Sequence, residues 1–210
     1  MSKGDTDAND ALEHTRRMQA LDAEQEAKLR EKTIRRGIVI VNGGDGKGKS
    51  TAAFGMALRA VGHGQRVAIV QFIKGTWKTG ESKIFARFPE IDHRVSGEGF
   101  TWKTQDRARD VAAAEKGLAF AREIIESAGQ DASCCALLIL DEINIALAHG
   151  YLDVDEVARM LDEKPRELSI VLTGRGADPK IVAVADTVTN MVPIKHAFEA
   201  GIRARKGVDF

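Results

Sequence analysis

Residues 43–50 read GGDGKGKS, which is a complete G-x-x-x-x-G-K-[ST] phosphate-binding loop. The apolar run GIVIV at 37–41 precedes it, and the helix-like stretch TAAF at 51–54 follows. Glycines let consecutive backbone N–H groups turn inward, and the N-terminus of the next helix adds the positive end of its dipole. The sequence therefore predicts a strand, the loop and a helix in succession, with a nucleoside triphosphate bound at the loop.

Each residue type in this pattern has its own task. The Lys49 ammonium reaches the terminal phosphates, and the Ser50 hydroxyl completes the oxygen shell of a Mg²⁺ ion. A Gly-rich surface turn is the competing interpretation, but the strand before the loop and the helix after it favour a nucleotide site. We therefore expect nucleotide contacts along the whole stretch of Gly44, Asp45, Gly46, Lys47, Gly48, Lys49, Ser50 and Thr51.

Composition narrows the class of protein. Lys plus Arg and Asp plus Glu both total 31 of the 210 residues, so no general attraction to nucleic acid or to a membrane surface is expected. No apolar run approaches the ~18–20 residues that span a bilayer, and the N-terminus lacks the apolar core of a signal peptide. Cys134 and Cys135 are adjacent, which suits neither a disulfide framework nor a metal site. We expect a cytoplasmic protein.

The chain divides into two predicted regions. Residues 1–36 are highly charged and carry few large apolar side chains, while 11–32 contain good helix formers without Pro or Gly. Such a segment cannot fold alone, so it is either a mobile arm or a helix that docks as a lid. Residues 37–210 form the predicted nucleotide-binding domain.

Strands and helices alternate through that domain. The predicted fold class is α/β, a P-loop nucleoside triphosphatase (RecA-like) arrangement with a mainly parallel sheet and helices on both faces. The segment 74–82 is expected to be an irregular loop. The predicted strands are 37–42, 66–73, 92–96, 136–140, 168–172 and 187–191, and the predicted helices are 51–61, 83–88, 104–127, 153–161 and 181–185.

Polar residues follow two of these strands at the ligand-binding edge. Asp141 and Glu142 come directly after LLIL, where a carboxylate orients Mg²⁺ in P-loop proteins. Glu142 has two possible roles, polarising an attacking water or serving the metal. Arg175 lies between two glycines and can approach phosphate oxygens. Arg59 is a weaker phosphate candidate, because an exposed helical arginine often forms only a surface ion pair.

The stretch GEGFTW at 97–102 places Phe100 and Trp102 two residues apart in a polar, Gly-flanked segment. Packing in the core is one interpretation, since aromatic side chains carry much of any core's burial. The alternative is a hydrophobic platform for a flat apolar ligand. The five histidines are scattered and show no spacing typical of a metal site.

Taken together, these motifs resemble those of the ATP:corrinoid adenosyltransferases. The resemblance covers 37–210 and departs from the family at two loop positions, Asp45 for Asn and Ser50 for Thr. Serine keeps the metal-binding hydroxyl, whereas Asp45 adds an anion that Lys47 or Mg²⁺ has to offset. The similar stretches are GDGKGKSTAAFG at 44–55, RAVGHG at 59–64, QFIKG at 71–75, GFTW at 99–102, LDE at 140–142, TGR at 173–175 and KHAFEAG at 195–201.

The resemblance implies transfer of the 5′-deoxyadenosyl group of ATP to cobalt(I) of a reduced corrinoid, with release of triphosphate. It implies that Lys49, the loop amides, Mg²⁺ on Ser50 and Arg175 stabilise the leaving triphosphate. It also implies that Phe100 and Trp102 exclude the lower axial ligand of the corrinoid. A flavin-type electron donor and a homodimer are further implications.

Two other classes of function remain compatible with the loop. One is a P-loop ATPase that remodels a partner, in which Glu142 activates water. The other is a nucleotide-sensing protein without turnover. Product analysis separates them, because adenosyl transfer yields triphosphate and an alkylated cobalt centre, whereas hydrolysis yields ADP and phosphate.

Overall fold

The computed structural model describes residues 3–73, 79–97, 106–131 and 134–209. The chain separates into two units that meet in sequence at Arg35 and Arg36. The first unit consists of one long helix, α1 (Lys3–Arg30), whose side chains are exposed wherever they are described. Pairs at i and i+4, such as Lys28–Glu24 at 2.5 Å, line it and contribute a few tenths of a kcal/mol each. Whether α1 is a lid or a tail stays a prediction.

The second unit is built on a six-stranded sheet in which all pairs are parallel. The strand order is β3-β2-β4-β5-β1-β6, so β1 lies between the last two strands of the chain. This confirms the predicted α/β class. The strands are β1 (Val39–Gly43), β2 (Val67–Gln71), β3 (Ile91–Val95), β4 (Leu137–Asp141), β5 (Ser169–Thr173) and β6 (Thr187–Asn190).

Helices cover both faces of the sheet because strand side chains alternate between two apolar cores. Leu138 and Leu140 of β4 point into one core, and Leu137 and Ile139 point into the other, which lies beneath the helices at 49–62 and 80–85. No helix among the described residues is long and apolar enough to cross a membrane. The helices are α2 (Lys49–Gly62), α3 (Gly80–Phe85), α4 (Arg107–Gln130), α5 (Ile143–Ala148), α6 (Val154–Asp162) and α7 (Pro179–Val184).

Two short helices differ from the sequence-based prediction. The segment 74–82 was expected to be irregular, but α3 already begins at Gly80, since the Thr79 hydroxyl caps it by accepting from Ser82 N at 3.3 Å. Helix α5 was not predicted. Four of its six residues are buried, and its short, mostly apolar sequence shows none of the polar periodicity that identifies an amphipathic helix.

Asp186 ties the start of β6 to the start of β1. Its carboxylate accepts from Val39 N at 2.9 Å and from both terminal nitrogens of Arg36. The Arg36 hydrogen bonds, followed by the one from Val39, lower the pKa of Asp186. A depressed carboxylate pKa gives stability that is present above the unfolded value of ~3.9 and is lost as the pH falls through the folded value.

We expect Asp186→Asn to lower the free energy of unfolding by about 1 kcal/mol at pH 7, a value discounted for solvent screening around the half-exposed Arg36. The difference from wild type should shrink once the pH falls below about 4. Urea denaturation at pH 7 and pH 3 measures it. Glu115→Gln, at an exposed position on α4, is the control and should leave the free energy of unfolding unchanged at both pH values. An Asp186→Asn difference of the same size at both pH values would contradict the assigned cause.

Candidate nucleotide-binding site

The phosphate loop lies between β1 and α2, as its sequence predicts. Two glycines carry the positive φ angles that reverse the chain, 91° at Gly44 and 109° at Gly48. Gly48 is the N-cap of α2, and Lys49 is its first residue. The loop therefore delivers its backbone N–H groups and the α2 N-terminus to the carboxyl edge of the sheet, which is the geometry that binds anions.

The segment that follows β6 packs against the phosphate loop and is hydrogen-bonded to it. Gly46 N donates to Met191 O at 2.7 Å, and Met191 N donates to Gly43 O at 3.0 Å. The approach is so close that a Cβ on Gly44 would lie 2.3 Å from Asn190 Oδ1, and one on Gly46 would lie 2.8 Å from Met191 O. Two loop glycines are thus required by contact with a distant part of the chain.

Lys49 is buried, and its Nζ donates to Gly46 O at 2.7 Å. Burial lowers its pKa, the charge of Glu142 opposes that shift, and the charge of Arg175 adds to it. An ammonium group drawn out of water beside another cation gains strongly from a neighbouring polyphosphate. The next two residues of α2, Ser50 and Thr51, are half-buried and exposed respectively.

Asp45 and Lys47, the two charged residues of the loop before Lys49, each form an ion pair. Asp45 Oδ1 lies 3.5 Å from Nε of Arg175, and Lys47 Nζ lies 2.5 Å from Oδ1 of Asp209. The sequence suggested that the Asp45 anion would be offset by Lys47 or Mg²⁺, whereas here Arg175 lies beside it. Pairs of this exposure contribute little to stability, so Arg175 can exchange Asp45 for phosphate at small cost.

Asp141 and Glu142 occupy the tip of β4. Asp141 is completely buried, and its carboxylate accepts from Gln71 Nε2 and from Thr173 Oγ1, each at 2.8 Å. Glu142 has φ 66° and ψ 16°, a left-handed conformation that is strained for a non-glycine residue. Its backbone N–H donates to Thr173 Oγ1 at 2.9 Å, which holds that turn in place.

Two asparagines near the loop were not predicted as site residues. Asn42, on the strand that leads into the loop, and Asn144, in the first turn of α5, are both buried. Asn42 Nδ2 and Asn144 Oδ1 have no hydrogen-bond partner within the part of the chain that the structure describes. Buried amide atoms normally find a partner in the protein, in water or in a ligand. No periodicity or motif marks these positions, so sequence reasoning had no signal for them.

One predicted residue lies away from the loop. Arg59 is exposed in the last turn of α2, and a rise of 1.5 Å per residue puts it about 15 Å along the helix from Lys49. Within this chain Arg59 therefore lies away from the phosphate loop, and its contact with phosphate stays a prediction. Phe100 and Trp102 lie outside the described residues.

The oxygen groups near the loop fit a magnesium ion held mainly by phosphate. Mg²⁺ prefers hard oxygen ligands and is usually bound by one or two protein groups plus phosphates and water. Ser50, Asp141 and Glu142 supply a hydroxyl and two carboxylates. Over the described ranges, no group of three or more His, Cys, Asp or Glu side chains could hold a metal ion by itself.

Comparison with known proteins identifies close relatives. The sequence model of the family described as ATP:corrinoid adenosyltransferase BtuR/CobO/CobP matches residues 35–210. A corrinoid adenosyltransferase of Pseudomonas aeruginosa is 49% identical over 198 residues, which cover 94% of this chain and 95% of the relative. Proteins of the same name are 48% identical in a Sinorhizobium species, over 96% of this chain and 93% of the relative, and 40% identical in Escherichia coli, over 94% and 97%.

Proposed function

The chain belongs to the ATP:corrinoid adenosyltransferase family, and from this we propose how its phosphate loop is used. The reaction adenosylates a corrinoid in cobalamin biosynthesis or salvage. Cobalt(I) donates its electron pair to the 5′ carbon of ATP, the bond from that carbon to the triphosphate oxygen breaks, and triphosphate leaves with the bonding electrons. Because cobalt(I) is itself the nucleophile, no serine, cysteine or histidine nucleophile and no general base is needed.

The protein's task is to align the two substrates and to stabilise the charge that builds up on the leaving triphosphate. In this proposal, Lys49 and the backbone N–H groups of the loop bind that charge. Arg175 joins them by leaving Asp45. Ser50, Asp141 and Glu142 would hold a Mg²⁺ ion, which would neutralise further phosphate charge when bound. The observation that carries the proposal is the buried Lys49 ammonium at the start of α2, with the charges of Glu142, Arg175 and Asp45 around it.

The test of this function is an anaerobic incubation of the full chain with ATP, Mg²⁺ and chemically reduced cobalamin. We expect the absorption spectrum of a cobalt–carbon bond and one triphosphate per alkylated corrinoid. ADP and phosphate without a cobalt–carbon bond would overturn the proposal in favour of the ATPase, in which Glu142 activates water. ATP binding with neither product would favour a nucleotide sensor.

Phe100 and Trp102 are proposed to cover the lower face of the corrinoid and to exclude its axial ligand, which makes cobalt(II) easier to reduce. We expect Phe100→Ala or Trp102→Ala to slow the reaction about tenfold or more when cobalt(II) is supplied with a weak reductant, since an apolar wall is worth about 1–3 kcal/mol. With preformed cobalt(I), the loss should be much smaller. Equal losses in the two assays would indicate damage to the core instead.

A flavin-type electron donor, a homodimer and a cytoplasmic location complete the proposal. The cytoplasmic location is supported by the free thiols of Cys134 and Cys135, which suit a reducing compartment, as does a cobalt(I) substrate. The donor and the homodimer follow from the family resemblance. Size-exclusion chromatography with light scattering measures the oligomer.

A further inference from the structure

Four buried polar side chains form a row across the sheet just below the phosphate loop. The strand register places Gln71 beside Asp141, and Asn42 beside Thr173. The pairing of Leu140 with Leu172 puts Asp141 and Thr173 at the same level of the sheet. All four are at least nine-tenths buried.

The row lies on the face of the sheet that α2 covers. On each strand, the residue two positions before the polar one belongs to the apolar core beneath α2 or packs against that core. These residues are Ile69, Ile139, Val171 and Ile40. Because side chains alternate along a strand, the polar row continues that same face. It therefore lies beneath the N-terminal end of α2, where Lys49 and Ser50 begin the helix.

Asp141 is the charged member of the row, and a donor holds each of its oxygens. Thr173 Oγ1 donates to Oδ1 and Gln71 Nε2 donates to Oδ2, both at 2.8 Å. A fully buried carboxylate is costly unless hydrogen bonds compensate for the lost water. The two donors provide that compensation and fix the plane of the carboxylate.

Further contacts set the direction of both donors. His93 Nε2 lies 2.8 Å from Gln71 Oε1, so the oxygen of the Gln71 amide faces His93 and its nitrogen faces Asp141. Thr173 Oγ1 accepts from Glu142 N at 2.9 Å, so the single hydroxyl proton is directed to Asp141. Thr173 thus connects the two acidic residues at the tip of β4.

We propose that Gln71 and Thr173 are positioning residues that hold Asp141 and the Glu142 turn in the geometry required by the magnesium-bound triphosphate. They act through Asp141 and Glu142, and neither is placed to touch the reacting atoms. The inference rests on the proposed function, because it assumes that the metal and the nucleotide bind at this edge of the sheet. It assigns roles to two strand-end residues that were not among the predicted site residues.

Thr173→Val and Thr173→Ser are the matched pair that tests the hydroxyl. Valine has nearly the same shape and lacks both hydrogen bonds, whereas serine keeps them. Calorimetry measures ATP affinity for each variant in EDTA and over a series of Mg²⁺ concentrations. Mg²⁺ should increase ATP affinity, and we expect Thr173→Val to raise the Mg²⁺ concentration that gives half of this increase about tenfold. The ATP affinity of the variant in EDTA should equal that of the wild type. Thr173→Ser should return this midpoint to within threefold of wild type.

The possible results distinguish a failure of the proposed metal role from a failure of the positioning role. If ATP binding by the wild type does not respond to Mg²⁺, the proposed metal role and the positioning role both fail. If the wild type responds but Thr173→Val has the same midpoint, only the positioning role is overturned. It is also overturned if Thr173→Val weakens binding equally in EDTA and Mg²⁺, or if serine is as impaired as valine, since general damage to the sheet produces either result.

Gln71→Leu provides an independent readout if Thr173→Val does not fold. We expect it to lower kcat about tenfold or more while KM for the corrinoid stays within threefold, because Gln71 is buried and is proposed to act through Asp141. Combined with Asp141→Asn, it should cause little additional loss, because both changes disable the same carboxylate. Multiplicative losses in the double variant would show that Gln71 does not act through Asp141.

Discussion

Lys49→Ala is expected to lower kcat/KM for adenosylation by about 10²–10³-fold, the cost of removing one preorganised charge from a transition state. The buried Lys49 ammonium, on Gly46 O and close to the charge of Arg175, is the group best placed to neutralise the departing triphosphate. Steady-state kinetics with preformed cobalt(I) isolates this effect from cobalt reduction.

The same variant should be at least as stable as wild type without ligand. Burial lowers the pKa of Lys49, so its charged form is held at a cost that alanine removes. In thermal unfolding, we therefore expect an unchanged or higher Tm for the free protein and a smaller rise in Tm with ATP. Lys47→Ala is the matched control, since its Nζ is paired with Asp209; its activity should fall by less than tenfold. Wild-type activity in Lys49→Ala would remove the loop from the mechanism.

Gly44→Ala should abolish tight ATP binding by a different route. Gly44 has φ 91°, and a Cβ there would lie 2.3 Å from Asn190 Oδ1 and 2.4 Å from Met191 O. A positive φ at a non-glycine residue costs about 1–3 kcal/mol. To relieve the close contact, the loop also has to break its backbone hydrogen bonds with Met191. We expect ATP affinity to fall by more than 100-fold and Tm to drop. Calorimetry and thermal unfolding measure both.

Gly55→Ala is the control for this second prediction. Gly55 lies on the exposed side of α2, and a Cβ there would meet nothing within 4 Å. Alanine is the better helix former, so this variant should gain about 0.5–1 kcal/mol of stability and bind ATP normally. If Gly44→Ala bound ATP as tightly as Gly55→Ala, the contact with Asn190 and Met191 would have no role in shaping the loop.

Local sequence patterns predicted the phosphate loop and most of the sheet. The loop is a continuous motif with one backbone geometry, and buried parallel strands such as β2 and β4 appear as apolar runs that polar residues end. That is why the sequence alone predicts that Lys49, Asp141 and Arg175 lie at one edge of the sheet. Arg59 was harder to place, because a motif position does not reveal how far along α2 the side chain lies.

The remaining features depend on pairings between distant parts of the chain. Gln71 and Thr173 contact Asp141 only because β2 and β5 flank β4, an order that periodicity does not reveal. The backbone hydrogen bonds of the loop with Met191 and the Lys47–Asp209 ion pair likewise join the loop to residues far along the chain. Such contacts follow from topology, so a sequence pattern could identify the residues as polar or apolar but not as partners.

The position of β1 also bears on how the protein is made on the ribosome. This strand is made before both of its neighbours, β5 and β6, and Asp186, which accepts a hydrogen bond from Val39 N, follows Val39 by 147 positions. At ~5–20 residues per second, roughly 7–30 s pass between the synthesis of Val39 and that of Asp186. The nucleotide pocket can therefore close only after β5 and β6 have been made, and until then β1 is an apolar strand with unpaired backbone groups.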